Sequence, residues 1–425
     1  MTETNMTLTS LSPKLRTEIL ASVKERVLKE HFNVGGVNYN EWAKRFDERS
    51  PTLLDVDIEE FEGGVRKALA ELGSSHTVFY HERTSRLLPQ HSINATIRAF
   101  ERDGRESWHF LDVFEDGPAH LAGIKRGDML VAVDGTLYAP PTMPPFRIGT
   151  THKIAVSSAR GENPREIAIS VPFRKGTKER PPIVEPRSPI HAVAAPKTGL
   201  LKIPHFPGPT GISFANALDL AIRDLKSRGC DRLIIDLRGN IGGSLGFARL
   251  ASYLCPDRIP IGHSLTPARL RKGYTRDTLP RVPMPRTTPQ FVLALARFAL
   301  RDKSVVLLTQ GLGPQPFHGR VAILVNEWTN SAGEMLASFA SENRLATIIG
   351  TKTAGNVLGA LNRRVGAGYW LRVPVFGWYT SSGKCLEGQG VSPDLHLDID
   401  PVSLDSASDQ QMRRAAEVLN LDFCF

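Results

Sequence analysis

Residues Leu233 to Gly243 read LIIDLRGNIGG. An apolar run of this kind marks a buried strand, and the glycines after it permit a tight turn that brings backbone close to a ligand. The turn leaves N–H groups pointing outward at the start of a helix, donors suited to a developing oxyanion. A plain strand-to-helix turn would use the same glycines. A phosphate cradle is disfavoured, because neither the GxxxxGK[ST] nor the GxGxxG spacing is present. Around this stretch, strand and helix signals alternate. They run LLKIPHF, a helix over FANALDLAIRDLKSRG, strand RLIIDL, a helix after Gly243, strand RVAILVN, a helix after Ser331 and strand ATIIG. That order predicts an α/β domain over 197–425. Between Cys255 and about Val305 it is interrupted by seven prolines and many arginines. This insertion, 256–305, is expected to be a surface loop holding one helix around FVLALARFAL.

Upstream, the pattern changes twice. Ser12 and Pro13 suit a helix start, and Leu15, Ile19, Val23 and Val27 recur every four positions. A second helix is expected from about Asp57, presenting Phe61, Val65 and Leu69 and stopping at Gly73, so that Ser74, Ser75 and His76 fall in a loop. Residues 1–92 therefore read as a small helical domain. From Ile93 the segments ATIRAFE, WHFLDVFE, DMLVAVDG, HKIAVSSA and REIAISVPF alternate as strands, making 93–173 a β domain. Residues 174–196 open on RKGTKERPPIVEPR and read as an extended, basic, Pro-rich linker.

The 425 residues leave room for two to four domains, and 41% apolar with 23% charged residues excludes a wholly disordered, collagen-like or coiled-coil chain. The net charge of +9 suggests nucleic acid, anionic lipid or an acidic substrate. No helix-turn-helix, RRM or zinc spacing supports nucleic acid. The charge is also local: 257–303 holds ten Lys or Arg against three Asp, and 174–187 five against two Glu. Four cysteines without CxxC spacing indicate neither a disulfide framework nor a zinc site. No signal peptide or apolar span of about 20 residues is seen, which predicts a cytoplasmic protein. Homo-oligomerisation is left open.

The other chemically suggestive stretch is GRVAILVNEWTNSAGE, residues 319–334. Its strand delivers Ser331 to a helix N-terminus, where the macrodipole favours an alkoxide, although a serine there serves equally as a helix cap. Four motifs in order, DLRGNIGG, NSAGE, ATIIGTKTAGN and LEGQGVSPD, resemble the C-terminal processing peptidase and tricorn-core family of serine peptidases, over about residues 60–400. The 115–128 run EDGPAHLAGIKRGD, followed by Val133-Asp134-Gly135, resembles a PDZ domain. The resemblance implies a crotonase-like α/β core with an inserted PDZ-like module that takes a peptide as an added strand. It further implies Ser331 as nucleophile, with the N–H groups of Ala332 and of Gly242 or Gly243 as the oxyanion hole.

One branch of the family places an activating lysine after the TxG motif. Here Asn356 stands in that place, after Gly355, and Lys352 precedes the turn. The chain looks closer to the Ser-His branch. Gly73-Ser74-Ser75-His76-Thr77 and Leu386-Glu387-Gly388-Gln389-Gly390-Val391 match its motifs, implying His76 as general base, with Ser75 and Glu387 orienting it. Glu334 competes for that orienting role. An ordinary histidine titrates near ~6.5, so activity is expected to rise through neutral pH. Asn356, Gly355 and the basic Arg269, Arg271 and Lys272 are candidate substrate contacts. No cofactor or metal is implied. The expected activity is a serine peptidase acting through an acyl-enzyme on peptide or unfolded protein. The rival is a catalytically silent peptide- or hydrophobic-ligand-binding protein on the same core.

Overall fold

The computed structural model describes residues 11–33, 35–82, 86–102, 104–159, 161–173, 183–208, 210–300, 303–400, 404 and 409–420. The expected linker residues 174–182 lie outside the described residues.

The main sheet is mixed α/β, as the alternation predicts. Strands Thr198–Lys202, Arg232–Asp236, Val321–Val325, Thr347–Gly350 and Leu395–His396 lie parallel in that order. Both faces are covered, which is why Leu233, Ile234 and Ile235 are all buried. Helices Ile212–Ser227, Phe247–Leu254 and Ala332–Glu342 share one apolar cluster with Leu233, Ile235, Ile323 and Val325. On the other face, Ile234, Ala322, Leu324 and Ile349 pack on Ala415 and Val418 of helix Gln410–Asn420.

Part of the expected linker is a strand of this sheet. Ile190–Ala195 pairs antiparallel with Thr198–Lys202 through a turn at Lys197, whose φ is +60°. Prolines at 181, 182, 186, 189 and 196 suggest a linker, and the alternation between the last two is short enough to be overlooked.

The insertion is also more ordered than a surface loop. Pro260–Leu265 sits inside a second sheet, between strand Tyr369–Thr380 and strand Val306–Leu308, with Arg281–Pro283 at the edge. Five of its six residues are buried, so this strand is read by burial where its flanking prolines suggest loop. The expected helix is present as Thr288–Leu300, with none of its residues buried.

The described residues among the first ninety do not enclose a core of their own. Helices Pro13–Glu30, Tyr39–Arg49 and Ile58–Ala70 each bury one stripe, and a stripe needs a partner surface. They find it on the second sheet: Ile19, Val23, Trp42, Phe61 and Val65 cluster with Phe79, Tyr369, Leu371 and Val373. Phe79 and Tyr369 stack with centroids 4.9 Å apart, and each such buried ring contributes roughly 1.5–3 kcal/mol. Strand Val78–His81, running on from the Ser74–His76 loop, pairs antiparallel with Tyr369–Thr380. The loop is thereby fixed to the C-terminal half of the chain. Helix Tyr39–Arg49 is not visible in the periodicity, because only Trp42 and Phe46 of its eleven residues are buried.

Residues 95–170 form an antiparallel sheet around Ile97, Phe110, Ile124, Leu130, Ile154 and Val156. The glycine-rich run carries one short helix, Pro118–Leu121. Among the described residues no helix is long and apolar enough to cross a membrane.

Candidate active site

Ser331 ends the loop after strand Val321–Val325 and begins helix Ala332–Glu342. Its φ is +51°, a left-handed value that costs a non-glycine residue about 1–3 kcal/mol and accumulates at functional sites. His76, the expected base, has φ +62°. Two of the backbone outliers therefore fall on the two residues singled out for proton transfer.

Backbone ties hold Ser331 in this conformation. Its N–H reaches the Asn356 carbonyl at 3.1 Å and Glu334 Oε2 at 3.0 Å. Glu334 is fully buried and also accepts from Thr353 Oγ1 at 2.6 Å, from Gly355 N–H at 2.7 Å and from Asn356 N–H at 2.9 Å. Burial pushes its carboxyl above the ordinary range, against the pull of those donors. Glu334 is thus a clamp between the serine helix and the 353–356 turn, and it makes no bond to His76. Asn356 Nδ2 donates to Asn330 Oδ1 at 2.8 Å. Gly355 donates its N–H to Glu334, and its carbonyl accepts from Gly388 N–H. Lys352 is exposed.

The glycine turn lies against the serine. A Cβ on Gly242, at φ +79°, would come 2.7 Å from Ser331 Cβ. One on Gly243, at φ +138°, would meet the Phe206 carbonyl oxygen at 2.2 Å, so only glycine fits either position. The two differ in what they can donate. The Gly242 N–H is taken by Asn240 Oδ1 at 2.7 Å, which removes Gly242 from the expected oxyanion donors. The N–H groups of Gly243 and Ala332 have no partner among the described residues.

Ser75, His76 and Glu387 are joined, although 312 residues separate Ser75 from Glu387. Ser75 Oγ donates to Glu387 Oε2 at 2.9 Å and lies 2.8 Å from His76 Nδ1. Since the serine proton goes to the carboxylate, Nδ1–H donates to Ser75, and Nε2 keeps a lone pair free to accept. Glu387 is held by the N–H groups of Ser75 and Val357, each at 2.8 Å. Behind this chain, His31 Nε2 contacts Ser74 Oγ at 2.8 Å, and His31 Nδ1 contacts Tyr39 OH at 2.8 Å. Among the described residues no hydrogen bond closes between His76 and Ser331; apo sites often hold this pair apart until substrate binds. Burial, with the Arg372 guanidinium and His91 nearby, lowers His76 to about 3, so the ordinary value near ~6.5 does not hold here.

Helix Pro89–Ser92, which nothing in the sequence singles out, borders the site. Gln90 Nε2 donates to the carbonyls of Gly239 and Trp328, at 3.0 and 3.1 Å. The 95–170 sheet reaches it too: Asp112 Oδ2 accepts from Asn326 Nδ2 at 3.0 Å, and Asn326 Oδ1 accepts from Gly239 N–H at 2.9 Å. Arg269, Arg271 and Lys272 lie in the short helix Pro267–Lys272, which buries none of its residues, and no hydrogen bond ties Arg271 or Lys272 to Ser331 or His76.

Residues 197–397 match the family model described as peptidase family S41. That match covers just under half of the chain. Two relatives extend the likeness. One, from Streptomyces coelicolor, is named as a tricorn protease homolog and is 26% identical over 397 residues, covering 87% of this chain and 29% of the relative. Another, from Staphylococcus aureus, is named as a CtpA-like serine protease and is 24% identical over 286 residues, covering 66% of this chain and 48% of the relative. The chain therefore spans less than half the length of either. In fold it is similar to the photosystem II D1 C-terminal processing protease, with a TM-score of 0.55, 18% identity and coverage of 95% and 97% of the two chains.

Proposed function

We propose that the chain is a serine peptidase that cleaves peptide or unfolded protein through an acyl-enzyme. The observation that carries this is the Glu387–Ser75–His76 hydrogen-bond chain, which leaves Nε2 free as a base. In this reading Ser331 Oγ attacks the scissile carbonyl carbon as its proton passes to His76 Nε2. The oxyanion is received by the free N–H groups of Gly243 and Ala332. Collapse returns the proton from Nε2 to the leaving amine and leaves an ester on Ser331. Water, deprotonated by the same imidazole, then releases the acid and restores the hydroxyl. Glu387 acts through Ser75, favouring the imidazolium form during each transfer. The match of residues 197–397 to peptidase family S41 and the likeness to relatives named as proteases support the class.

The core is read as crotonase-like, with 93–173 as a PDZ-like module that captures substrate. The groove between helix Pro118–Leu121 and edge strand Arg165–Ser170 suits this role, a cavity of about 880 Å³ that leaves Leu121 73% exposed. Arg269, Arg271 and Lys272 would draw acidic peptides toward the cleft. The rival reading is a catalytically silent peptide- or hydrophobic-ligand-binding protein on the same core. Hydrolysis of a denatured protein decides between them: Ser331→Ala and His76→Ala should each remove it while the fold survives, and full activity in either variant contradicts the mechanism.

A further inference from the structure

Helix Thr288–Leu300 in the basic insertion departs from the usual pattern of a surface helix. Phe291, Ala294 and Phe298, at i, i+3 and i+7, are half-buried on one side, where the Phe298 ring meets Phe376 edge-on at 5.4 Å. The other side of such a helix is ordinarily polar. Here it is apolar: Val292, Leu293 and Leu295 are each more than half exposed, and Leu300 is 83% exposed. Arg297 is the one charged residue of the helix.

The charge is gathered along one flank. Gln290, Leu293 and Arg297, at i, i+3 and i+7, line a cavity of about 410 Å³, which Met284, Arg286 and Arg258 also line. Three guanidinium-bearing residues thus share one space, and no carboxylate lines it. None of the three side chains has a hydrogen bond or ion pair among the described residues. The cavity has the size of a small-ligand site, ~300–1,000 Å³. Its surroundings are basic as well, since 257–303 holds ten Lys or Arg against three Asp.

An exposed apolar ridge with arginines along its flank is the form of a helix that lies in the plane of a bilayer interface. We propose that this insertion docks the protein on an anionic phospholipid surface. Val292, Leu295 and Leu300 enter the acyl boundary, while Arg258, Arg286 and Arg297 hold a lipid phosphate in the cavity beside them. A guanidinium fork matches phosphate oxygens, and an anionic leaflet attracts the insertion as a whole. A second copy of the chain fits less well, because a two-fold contact on this ridge would set each group of arginines against its own counterpart. An acidic peptide answers the arginines and leaves the leucines in water. The docking makes no use of Ser331 or His76 and goes beyond the peptidase reading.

The test is flotation of the full chain with two kinds of vesicle, phosphatidylcholine alone and phosphatidylcholine in equal parts with phosphatidylglycerol. The expected result is binding to the anionic vesicles at least about tenfold tighter than to the neutral ones. Arg286→Gln with Arg297→Gln should weaken it by about tenfold or more, and Arg286→Lys with Arg297→Lys should keep most of it. Leu295→Gln with Leu300→Gln should weaken it at least as much with the charge unchanged. All four positions are exposed, so these variants should fold normally, which their melting curves check. Equal binding to both vesicles, or none to either, overturns the proposal. So does anionic binding that survives the leucine pair, which would be plain electrostatic adsorption. Glycerol phosphate alone binding as tightly as the vesicles would make the cavity a soluble-phosphate site and overturn membrane docking. A dimer in sedimentation that Leu295→Gln with Leu300→Gln dissociates would assign the ridge to a second copy and overturn it equally.

Discussion

At the scale of single residues, the decisive property is the protonation of His76. Burial and the neighbouring Arg372 and His91 hold it down to about 3, well under the ordinary value near ~6.5. A depressed histidine stays neutral, and so remains a base, to lower pH. The acid limb of kcat/KM should therefore lie below about pH 5, with no rise through neutrality. A limb near 6.5 would show that His76 is not the base or is solvated in the working enzyme. Glu387→Gln should keep the packing and lose the negative charge that favours the imidazolium. Its kcat should fall on the order of 10²–10⁴-fold with KM little changed, measured on a common peptide. The motifs single out Ser331, His76, Ser75 and Glu387, and the structure joins the last three by hydrogen bonds. What they do not contain is the division of labour inside the site. Whether Gly242 or Gly243 donates depends on Asn240, and whether Glu334 or Glu387 orients the base depends on which backbone each carboxylate meets.

At the scale of elements, the loop carrying Ser75 and His76 is braced from behind by His31 and Tyr39, one at the end of a helix and one at the start of the next. His31→Ala should loosen this loop, lowering kcat by about tenfold at unchanged pH dependence, since His31 touches neither proton. Burial lowers His31 to about 4. The unfolded chain takes up a proton below ~6.5 that folded His31 refuses, so stability should fall as pH drops from ~6.5 toward ~4. Melting temperatures measured between those values should drop less in a His31→Gln variant than in the unsubstituted chain. The long strands and helices of the main sheet are readable because periodicity and burial agree in them. Helix Tyr39–Arg49 and strand Pro260–Leu265 are not, since one has too few buried positions and the other is flanked by prolines.

At the scale of the whole molecule, three parts of the chain converge on one turn. The N-terminal loop supplies the imidazole, the main sheet supplies the serine, and the 95–170 sheet reaches Gly239 through Asp112 and Asn326. Phe114 of that sheet lies so close that a Cβ on Gly239 would come 2.6 Å from its ring. Asp112→Ala would leave Asn326 Nδ2 and Thr96 Oγ1 without their buried acceptor, at a cost of about 1–3 kcal/mol. It should lower kcat more than it raises KM, as read from steady-state kinetics, because what it disturbs is the turn bearing Gly243. The charge that first suggests nucleic acid is here placed largely on an insertion that supplies sheet strands and an exposed basic helix. Replacing Arg269, Arg271 and Lys272 together by Gln should raise KM for acidic peptides at low salt, with kcat unchanged.

The most direct test of the central claim is covalent labelling of the full chain with a fluorophosphonate, followed by intact mass and peptide mapping. The account predicts one adduct, on Ser331, whose formation slows at least about a hundredfold in His76→Ala. An unlabelled Ser331 in folded protein, or labelling that proceeds at the same rate without His76, would contradict it.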